Sequence, residues 1–450
     1  PAADLATLPD GAANVQASVS SASGNSASAT HAYSVDASAP TLTINTIASD
    51  DILNAAEAGS PLTISGTSTA ETGQTVTVTL NGATYSGNVQ ADGSWSVSVP
   101  PSALGALTTS NYTVSATVND KAGNPGSASH NLAVDTTAPV LTINTVAGDD
   151  IINDAEHAQA LVISGTSTGG EAGDVVSVVL NGKTYTTTLD ASGNWSVGVP
   201  AADVTALGSG AQTITASVSD RAGNSDDASR TVTVSLSAPV ISINTIAGDD
   251  VINATEKGSD LMLSGTSDQP AGTAITVTLN GQNYSATTDA SGNWSVTVPA
   301  SAVSALGEAT YSVTASVTNA QGNSSTASHN VQVNTALPSV TINPVTTDDI
   351  INAAEAGSAQ TISGQVTGAA AGSTVTVELG GKTYTATVQA DLSWNVSVPA
   401  ADWQALGNGE LTVNASVTNA VGNTGSGTRD ITIDASLPGL RVDTVAGDDV

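Results

Sequence analysis

The chain contains no cysteine and no phenylalanine among its 450 residues. Without cysteine it forms no disulfides, on which multidomain extracellular proteins commonly depend. Either the protein is cytosolic or something other than disulfides stabilises it, and the placement of its acidic residues favours the second interpretation. Aromatic residues make up 3% of the chain, so the core is expected to consist of Val, Ile and Leu.

Basic residues are also scarce. The chain has 8 lysines and arginines against 40 aspartates and glutamates, which gives a formal charge of −32. Nucleic acids and anionic membranes both bind a positive surface, so this balance argues against both as partners and favours cation binding. Charged residues amount to only 11% of the chain. The abundance of Thr, Ser, Val, Ala, Asn and Gly is typical of strands and turns and not of a disordered acidic tail.

A short phrase of sequence returns about every hundred residues, which indicates an array of similar domains. Its first copy, Ala39–Thr46, reads APTLTINT, and its proline recurs at Pro139, Pro239, Pro338 and Pro438. Each copy is followed by paired aspartates: Asp50-Asp51, Asp149-Asp150, Asp249-Asp250, Asp348-Asp349 and Asp448-Asp449. One tryptophan recurs on a matching strand, as Trp95, Trp195, Trp294 and Trp394.

This period predicts the domain organisation. Residues 1–38 match the C-terminal part of a repeat; four complete repeats follow at 39–137, 138–237, 238–336 and 337–436; residues 437–450 match the start of another. Each complete repeat has a usual domain size and can bury its own core. We therefore expect a piece of a longer protein, for which the lack of a signal peptide or membrane-spanning run here is uninformative.

The sequence of each repeat predicts seven short strands separated by turns. In the first complete repeat they lie at 41–47, 62–64, 76–80, 85–90, 95–99, 112–118 and 132–134. Asn81-Gly82 predicts a tight hairpin, and the only helical turn expected lies within 103–107. The predicted fold is all-β, a tandem array of seven-stranded immunoglobulin-like β-sandwich domains. With an odd number of strands running up and down, the chain enters and leaves at opposite ends, so the domains are expected to join end to end as a rod.

The recurring tryptophan is expected to be a buried plug between the two sheets. Trp403 is additional, but it occupies the position of Leu104, Val204 and Val303 in the other repeats. We therefore interpret Trp403 as a larger apolar anchor and not as a binding platform.

The strand count also places the paired aspartates of one repeat beside the linker and a loop of the next. At the joint between the first and second complete repeats, the first repeat supplies Asp50, Asp51 and Glu57. The linker supplies Asp135, and the next repeat supplies Asp220. Like charges a few ångströms apart repel by about 1 kcal/mol or more per pair even in a water-like dielectric. Oxygen ligands without His or Cys select Ca²⁺, so the sequence predicts calcium at the joints.

The predicted calcium ligands recur through the chain: Asp36, Asp50, Asp51, Glu57, Asp120, Asp135, Asp149, Asp150, Glu156, Asp220, Asp249, Asp250, Glu256, Asp348, Asp349, Glu355 and Asp434. An asparagine that could add a carbonyl oxygen recurs as Asn54, Asn153, Asn253 and Asn352. The alternative is ordinary turn chemistry on an acidic, soluble surface. A single aspartate fits that alternative equally well, whereas the five-fold recurrence with glutamate at a constant offset favours calcium.

Differences among the repeats indicate which linker meets which loop. Acid accompanies acid only when a linker is paired with the loop of the repeat that follows it: Asp36 with Asp120, Asp135 with Asp220, Ser235 with Asn319, and Asn334 with Asn419. We therefore expect the joint of Asp135 and Asp220 to bind calcium more tightly than those at Ser235 or Asn334.

Enzymatic interpretations are weaker. Paired carboxylates can act as acid and base, but an active site is not expected to recur in every repeat. No phosphate-binding glycine loop, nucleophile elbow or zinc-ligand spacing is present. His130 and His329 occupy the position of Arg230 and Arg429, which indicates a tolerated cation and not a base or a ligand. No catalytic residue is predicted.

The second repeat carries six short motifs: Asp135–Pro139, Asp149–Glu156, Ile163–Thr166, Asn181–Tyr185, Asn194–Val197 and Ala222–Asn224. Together they resemble the bacterial immunoglobulin-like repeats of giant enterobacterial adhesins of the biofilm-associated large repetitive surface protein type. In that family the repeats form a long stalk, exported by type I secretion and stiffened by calcium between domains. The resemblance implies metal-ligating roles for Asp135, Asp149, Asp150 and Asp220 and for their equivalents, and Ser235, Asn319, Asn334 and Asn419 depart from the pattern.

The sequence thus predicts a non-enzymatic stalk segment of a cell-surface adhesin that is extracellular and supports adhesion and biofilm formation. A chain without disulfides can pass an exporter unfolded and then fold where calcium is plentiful. Its expected partners are neighbouring repeats of the same chain, with host or biofilm surface components or the same protein on other cells beyond them. Two alternatives stay open: a direct glycan- or protein-binding module, which the few aromatics argue against, and self-association through exposed Thr- and Val-rich edge strands.

Overall fold

The computed structural model describes residue 4 and residues 7–441. Asp448 and Asp449, and most of the predicted repeat start at 437–450, lie outside the described residues. The chain divides into two compact bodies, with the boundary between Leu236 and Ser237. Among the described residues, no helix has the length and apolar character needed to span a membrane.

The first body begins with an antiparallel hairpin and continues into the first complete repeat. The hairpin is β1 (Gly11–Ser20) and β2 (Ser26–Val35). The first repeat contains β3 (Ile52–Leu53), β4 (Leu62–Thr67), β5 (Thr75–Leu80), β6 (Ala83–Asn88), β7 (Ser94–Val99), β8 (Ser110–Asn119) and β9 (Pro125–Val134), with helices α1 (Ala55–Ala58) and α2 (Pro101–Leu104).

The second repeat completes the first body with the same order of elements. It contains β10 (Val140–Leu141), β11 (Ile151–Ile152), β12 (Leu161–Thr168), β13 (Val175–Leu180), β14 (Lys183–Thr188), β15 (Asn194–Val199), β16 (Gly210–Ser219) and β17 (Ser225–Val234), with α3 (Asp154–His157) and α4 (Ala201–Thr205).

The second body holds the third and fourth repeats. The third contains β18 (Ile241–Ile243), β19 (Val251–Ile252), a 3-10 turn (Glu256–Gly258), β20 (Leu261–Ser267), β21 (Ala274–Leu279), β22 (Gln282–Thr287), β23 (Asn293–Val298), α5 (Ala300–Ser304), β24 (Thr310–Thr318) and β25 (Ser324–Val333). The fourth contains β26 (Ser339–Ile342), β27 (Ile350–Asn352), α6 (Ala353–Ala356), β28 (Gln360–Thr367), β29 (Thr374–Leu379), β30 (Lys382–Thr387), β31 (Ser393–Val398), α7 (Ala400–Ala405), β32 (Gly409–Thr418) and β33 (Thr424–Asp434).

Each repeat forms two facing sheets. In the second repeat the larger sheet has the order β11-β17-β16-β13-β14, and the smaller has the order β10-β12-β15. Alternate residues of both sheets face inward, which is the pattern of a sandwich core. The predicted class, an all-β tandem array of immunoglobulin-like sandwiches, is confirmed.

The opening segment of each repeat differs from the single strand that the sequence predicted. In the second repeat, β10 pairs antiparallel with β12 in the smaller sheet, and the chain then crosses to the larger sheet, where β11 runs parallel to β17. The crossing needs a sharp turn, and Ala147, Gly148 and Asp150 all adopt positive φ there. The second aspartate of each pair therefore lies where the chain changes sheet.

Two other local predictions have clear outcomes. The hairpin at Asn81-Gly82 is present, with φ of 50° and 75°, as a type I′ turn requires. The last strand of the first repeat, β9, is longer than predicted. Its first half carries polar and small residues that pair with β8, so hydrophobic alternation did not reveal it.

The core of each repeat is built around its tryptophan. Trp95, Trp195, Trp294 and Trp394 are at most 2% exposed, and Trp403 is fully buried on α7, so the prediction of buried apolar anchors is confirmed. The Trp195 ring packs against Gly165 of β12. A Cβ at Gly165 would lie 1.9 Å from the carbonyl oxygen of Thr142 and 2.6 Å from the ring. The glycine of this motif is thus required by close packing.

We predict that Gly165→Ala destabilises the second repeat by about 3 kcal/mol, because both the backbone of the opening segment and the tryptophan must move. The measurement is the unfolding free energy obtained from amide hydrogen exchange in β12 and β15. Gly198→Ala in β15 is the matched control, since nothing lies within 4 Å of its added Cβ. Equal exchange in the two variants would contradict the packing argument.

Candidate functional site

A capped helix forms one side of the joint between the first and second repeats. Asn54 precedes α1, and its Oδ1 accepts from the backbone N–H of Glu57 (2.9 Å), while Oε2 of Glu57 accepts from the backbone N–H of Asn54 (3.1 Å). This reciprocal capping box satisfies two N–H groups at the start of the helix. The side chains of Asn54 and Glu57, predicted as calcium ligands, therefore define the beginning of a helix that the sequence analysis missed.

A loop of the second repeat forms the other side. Asp220 accepts through Oδ1 from the backbone N–H of Asn224 and through Oδ2 from the Asn224 side chain, both at 2.9 Å. Gly223 adopts a φ of 91°, which glycine allows without strain. The loop is therefore closed by its own residues, and the Asn224 side chain has a fixed orientation.

The joint is held by the side chain of Asn224, which is 6% exposed. Its Oδ1 accepts from the backbone N–H of Ala55 (2.8 Å), and its Nδ2 donates to the carbonyl oxygen of the linker residue Asp135 (3.0 Å). In return, Nδ2 of Asn54 donates to the carbonyl oxygen of Ala222 (3.1 Å). One amide thus connects the helix of one repeat, the linker and the loop of the next. We call this arrangement the asparagine bridge.

The second body repeats the bridge between its own two repeats. The backbone N–H of Ala254 donates to Oδ1 of Asn423 (2.7 Å), and Nδ2 of Asn423 donates to the carbonyl oxygen of Asn334 (2.8 Å). Asn423 is 2% exposed. The bridge forms here although asparagine replaces acid in both the linker and the loop, at Asn334 and Asn419. It uses the linker's backbone, so it does not depend on an acidic side chain there.

The second aspartate of each pair binds a cation of its own repeat. Asp150 accepts from Nε (2.6 Å) and Nη2 (2.5 Å) of Arg230 and from the backbone N–H of Val146 (3.0 Å). The hydrogen bond from Arg230 lowers the pKa of Asp150. The equivalent pairs are His130 with Asp51, His329 with Asp250, and Arg429 with Asp349. The histidines and arginines that share one position in the sequence therefore hold the segment that crosses between the sheets.

The first aspartate and the glutamate bond to nearby backbone. Oδ1 of each first aspartate accepts from the N–H two residues later, in Asp50, Asp149, Asp249 and Asp348. The glutamates Glu57, Glu156, Glu256 and Glu355 all accept from the preceding asparagine's N–H. Their recurrence thus has a local structural basis.

The linker and loop acids come together around the bridge. Asp135 and Asp220 both bond to Asn224, Asp135 through its carbonyl oxygen, as Asp36 and Asp120 bond to Asn124. The side chains of Asp36, Asp135 and Asp434 each accept from an N–H two residues later. Within residues 4 and 7–441, no three acidic or histidine side chains are grouped closely enough to hold a metal ion.

Asp10 is a joint residue that the sequence analysis missed. Its carboxylate accepts from Ser38 and from the backbone N–H of Ala37 in the linker, and both bonds lower its pKa, while the charge of Asp120 in the following repeat opposes them. Two carboxylates from successive repeats therefore lie within electrostatic range across this linker. The oxygen donors at linker and loop, mainly Asp36 with Asp120 and Asp135 with Asp220, have the chemistry that calcium takes.

Asn224 itself was also missed as a functional residue. Its motif, Ala222–Asn224, was noted, and a Gly-Asn pair recurs at the same place in every repeat. That recurrence was the available signal. The neighbouring loop Asp190–Asn194 has the same spacing and the same internal bonds, and its asparagine is exposed. Sequence alone therefore did not distinguish a docking loop from an ordinary hairpin loop.

Comparison with known proteins adds the following findings. The family model described as bacterial Ig-like domain matches residues 38–136, 141–236 and 238–335. Among curated proteins, none matches the chain. One solved structure is 38% identical in sequence to this chain, over 89% of this chain and 100% of that one, with a TM-score of 0.42. It is described as a Ca²⁺-stabilised adhesin with which an Antarctic bacterium binds ice.

Two further solved structures are similar in sequence. One, from a study of host cell-surface retention of a bacterial ice-binding adhesin, is 32% identical over 67% of this chain and 100% of that one, with a TM-score of 0.38. The other, a tetra-tandem repeat from the extending region of a large adhesion protein, is 26% identical over 88% and 100%, with a TM-score of 0.36.

We predict that Asn224→Ala loosens the joint without unfolding the second repeat. The change removes the Asn224 hydrogen bonds to the Ala55 N–H and to the Asp135 carbonyl, which are part-buried, and each such bond contributes about 0.5–1.5 kcal/mol. Amide exchange of linker residues 135–138 should rise by about one order of magnitude or more, while exchange in β12–β17 should stay unchanged. Asn194→Ala removes the same side chain from the matched exposed loop, and amide exchange of the linker should then stay at its wild-type rate. Equal linker exchange in both variants would disprove the bridge.

We predict that the wild-type chain loses stability in acid partly through Asp150. Its folded pKa lies below that of the unfolded chain, about 3.9, so its stabilisation is complete above the unfolded pKa and is lost as the pH falls through the folded one. In Asp150→Asn, the fall in melting temperature between pH 6 and pH 2, about the range in which carboxylates titrate, should be smaller. Asp227→Asn, on the exposed face of β17, is the control. If the melting temperature of Asp150→Asn falls with pH as much as that of the wild type, this role of Asp150 is contradicted.

Proposed function

The chain belongs to the family of bacterial Ig-like domains, and we propose that it is a non-enzymatic stalk segment of a bacterial cell-surface adhesin. The observation that carries the proposal is the asparagine bridge. It occurs in both bodies of the chain between successive repeats, each time with a helix N–H and a linker carbonyl as its partners. A contact that is present at successive joints fixes the position of each domain on the next. A spacer requires such a contact. An enzyme would need one distinct site, not a repeated docking contact.

We also propose that calcium stiffens the joints with acidic loops. Asp120 is 8% exposed. Burial raises its pKa, and the bonds from Asn124 outweigh this effect, so that the net pKa is lowered. The carboxylate is thus ionised close to the linker and to Asp10. Calcium, when bound, would supply positive charge among these oxygens, and the residues that would hold it are Asp36 with Asp120 and Asp135 with Asp220.

The adhesin proposal includes an extracellular location, export by type I secretion and a role in biofilm formation. The lack of cysteine supports it, because a chain without disulfides can be exported unfolded. In this proposal the paired aspartates stabilise each repeat, and the linker and loop acids respond to calcium outside the cell. The immediate partners of each repeat are its neighbours in the chain.

Self-association between cells is the second candidate. The larger sheet of each complete repeat has β6, β14, β22 or β30 as one edge strand. Of these, β14 (Lys183–Thr188) is rich in threonine. Val162 and Met262 are also exposed, at 63% and 67%. An edge with unpaired backbone groups can pair with a second copy. Dimerisation that increases with protein concentration in calcium would favour this function, and specific binding of a glycan or protein would favour a direct binding module.

The experiment is small-angle X-ray scattering of the 450-residue chain in millimolar calcium and in chelator. We expect a larger maximum dimension in calcium, because stiff joints keep successive repeats extended. The double variant Asp120→Asn/Asp220→Asn should respond less than the wild type, and Asp227→Asn should respond as the wild type does. A wild-type profile that is the same in calcium and chelator would disprove calcium stiffening.

A further inference from the structure

We propose that the opening segment of each complete repeat is the part that detaches first when the chain is pulled at its ends, and that alternate repeats resist this detachment differently. In the second repeat the opening segment is residues 140–152, from β10 to β11. The first and third repeats hold it with a histidine, and the second and fourth with an arginine. The inference rests on the proposed function in one respect, since a stalk between a cell and a surface is under tension.

The order of the strands decides how a pull is transmitted through a repeat. In the second repeat the force enters before β10, the first strand, and leaves after β17, the last strand. Because β11 runs parallel to β17, the force reaches β11 at its N-terminal end and β17 at its C-terminal end. The two strands are therefore pulled past each other along their length, and the hydrogen bonds between them are stretched together.

The opening segment is the more weakly paired end of the repeat. The last strand, β17, pairs with β16 along the full 10 residues of each strand. In contrast, β11 pairs with β17 over 2 residues, and β10 pairs with β12 over 2 residues. The backbone N–H groups of Thr142 and Asn144 add bonds to β12, at 2.8 Å each. We therefore expect the opening segment, and not the last strand, to detach first.

The side chain of Arg230 fastens the opening segment of the second repeat to β17. Its Nε and Nη2 donate to the carboxylate of Asp150, whose own carbonyl oxygen accepts from the backbone N–H of Thr233 in β17 (2.8 Å). Arg230 also donates to the carbonyl oxygen of Ile143 and to the hydroxyl of Thr145, both at 3.0 Å. We call these side-chain bonds between the last strand and the opening segment the tie.

The fourth repeat has an equivalent tie. Nε of Arg429 donates to Oδ1 of Asp349 (2.9 Å), and Nη1 donates to the carbonyl oxygen of Ile342 (3.0 Å). The side chains of this ion pair are 29% and 23% exposed, and those of Arg230 and Asp150 are each 28% exposed. Ion pairs that are partly buried in this way are screened less than fully exposed ones.

The first and third repeats have a tie of one side-chain bond. Nε2 of His130 donates to Oδ1 of Asp51 (2.6 Å), and Nε2 of His329 donates to Oδ1 of Asp250 (2.7 Å). In the part of the chain that the structure describes, neither ring makes a further hydrogen bond. An imidazole has fewer N–H donors than a guanidinium, so the tie of these repeats reaches only the aspartate.

A second difference between the two classes of repeat lies elsewhere. Lys183 and Tyr185 bond to Asp203 in the second repeat, and the fourth repeat has the same contact. These residues lie on β14 and α4 and not on the opening segment. Exchange of histidine and arginine therefore changes the tie and leaves this contact in place.

The experiment is single-molecule force spectroscopy on the 450-residue chain, attached by its two ends and held at constant force and neutral pH. Each complete repeat should give one unfolding event, and the events should divide equally into a fast and a slow population. The arginine repeats should unfold about tenfold or more slowly, because each additional hydrogen bond that breaks before the segment detaches slows unfolding.

Reciprocal substitutions assign the two populations. His130→Arg should move one event from the fast population to the slow one, and Arg230→His should do the reverse. Asp227→Asn, on the exposed face of β17, is the matched control and should leave the populations equal. The number of events counts the repeats that were folded before the pull. Loss of an event in Arg230→His would mean that its repeat no longer folds, and His130→Arg then decides.

The outcomes separate this inference from the proposed function. If the wild type shows a single population of unfolding times, or if His130→Arg leaves the populations equal, the inference is wrong and the stalk proposal stands on the asparagine bridge. The bridge is tested separately by Asn224→Ala. If that test fails, the stalk proposal loses its support, while the unfolding times of single repeats still decide the role of the tie.

Discussion

The positioning of one repeat on the next depends on a buried primary amide. The side chain of Asn224 has one acceptor and one donor group, and the joint presents one helix N–H and one linker carbonyl at the matching distances. An aspartate could not donate to the carbonyl, and a serine could not reach both partners. Because the loop is closed internally and the helix is capped, the amide meets two prearranged partners. Little conformational entropy is lost when the joint forms.

The large negative charge of the chain is distributed among several structural tasks. The second aspartate of each pair binds a histidine or arginine of the same repeat, the first accepts from a turn N–H, and the glutamate caps a helix. These acids stabilise single domains. The acids at the linkers and docking loops are different, since they lie between successive repeats and bind no protein cation in the described part of the chain. This division separates the acids that stabilise single domains from those that lie at the joints.

The repeats are not all alike. The second and fourth repeats use arginine to hold the crossing segment and add a contact in which a lysine and a tyrosine bond to an aspartate, as in Lys382, Tyr384 and Asp402. Burial raises the pKa of Tyr384 to about 12. The first and third repeats use histidine instead, and Tyr112 and Tyr311 accept from backbone N–H groups. Neighbouring repeats therefore differ within a common fold, and the histidine and arginine pairs alternate along the chain with a period of two repeats.

The sequence by itself determined the sandwich fold, the repeat length, the buried tryptophans, the hairpin at Asn81-Gly82 and the pairing of each linker with the loop that follows it. These depend on hydrophobic alternation, turn chemistry and recurrence, which are local or periodic properties. Only the tertiary structure decided the roles of Asn54, Asp10 and Asn224 and the partner of each second aspartate. Asn224 lies 169 positions from the Ala55 N–H that it accepts from, and the loop of Asn194 has the same local pattern without a partner repeat. Hydrogen bonds between domains depend on which surfaces meet, and local sequence does not encode that meeting.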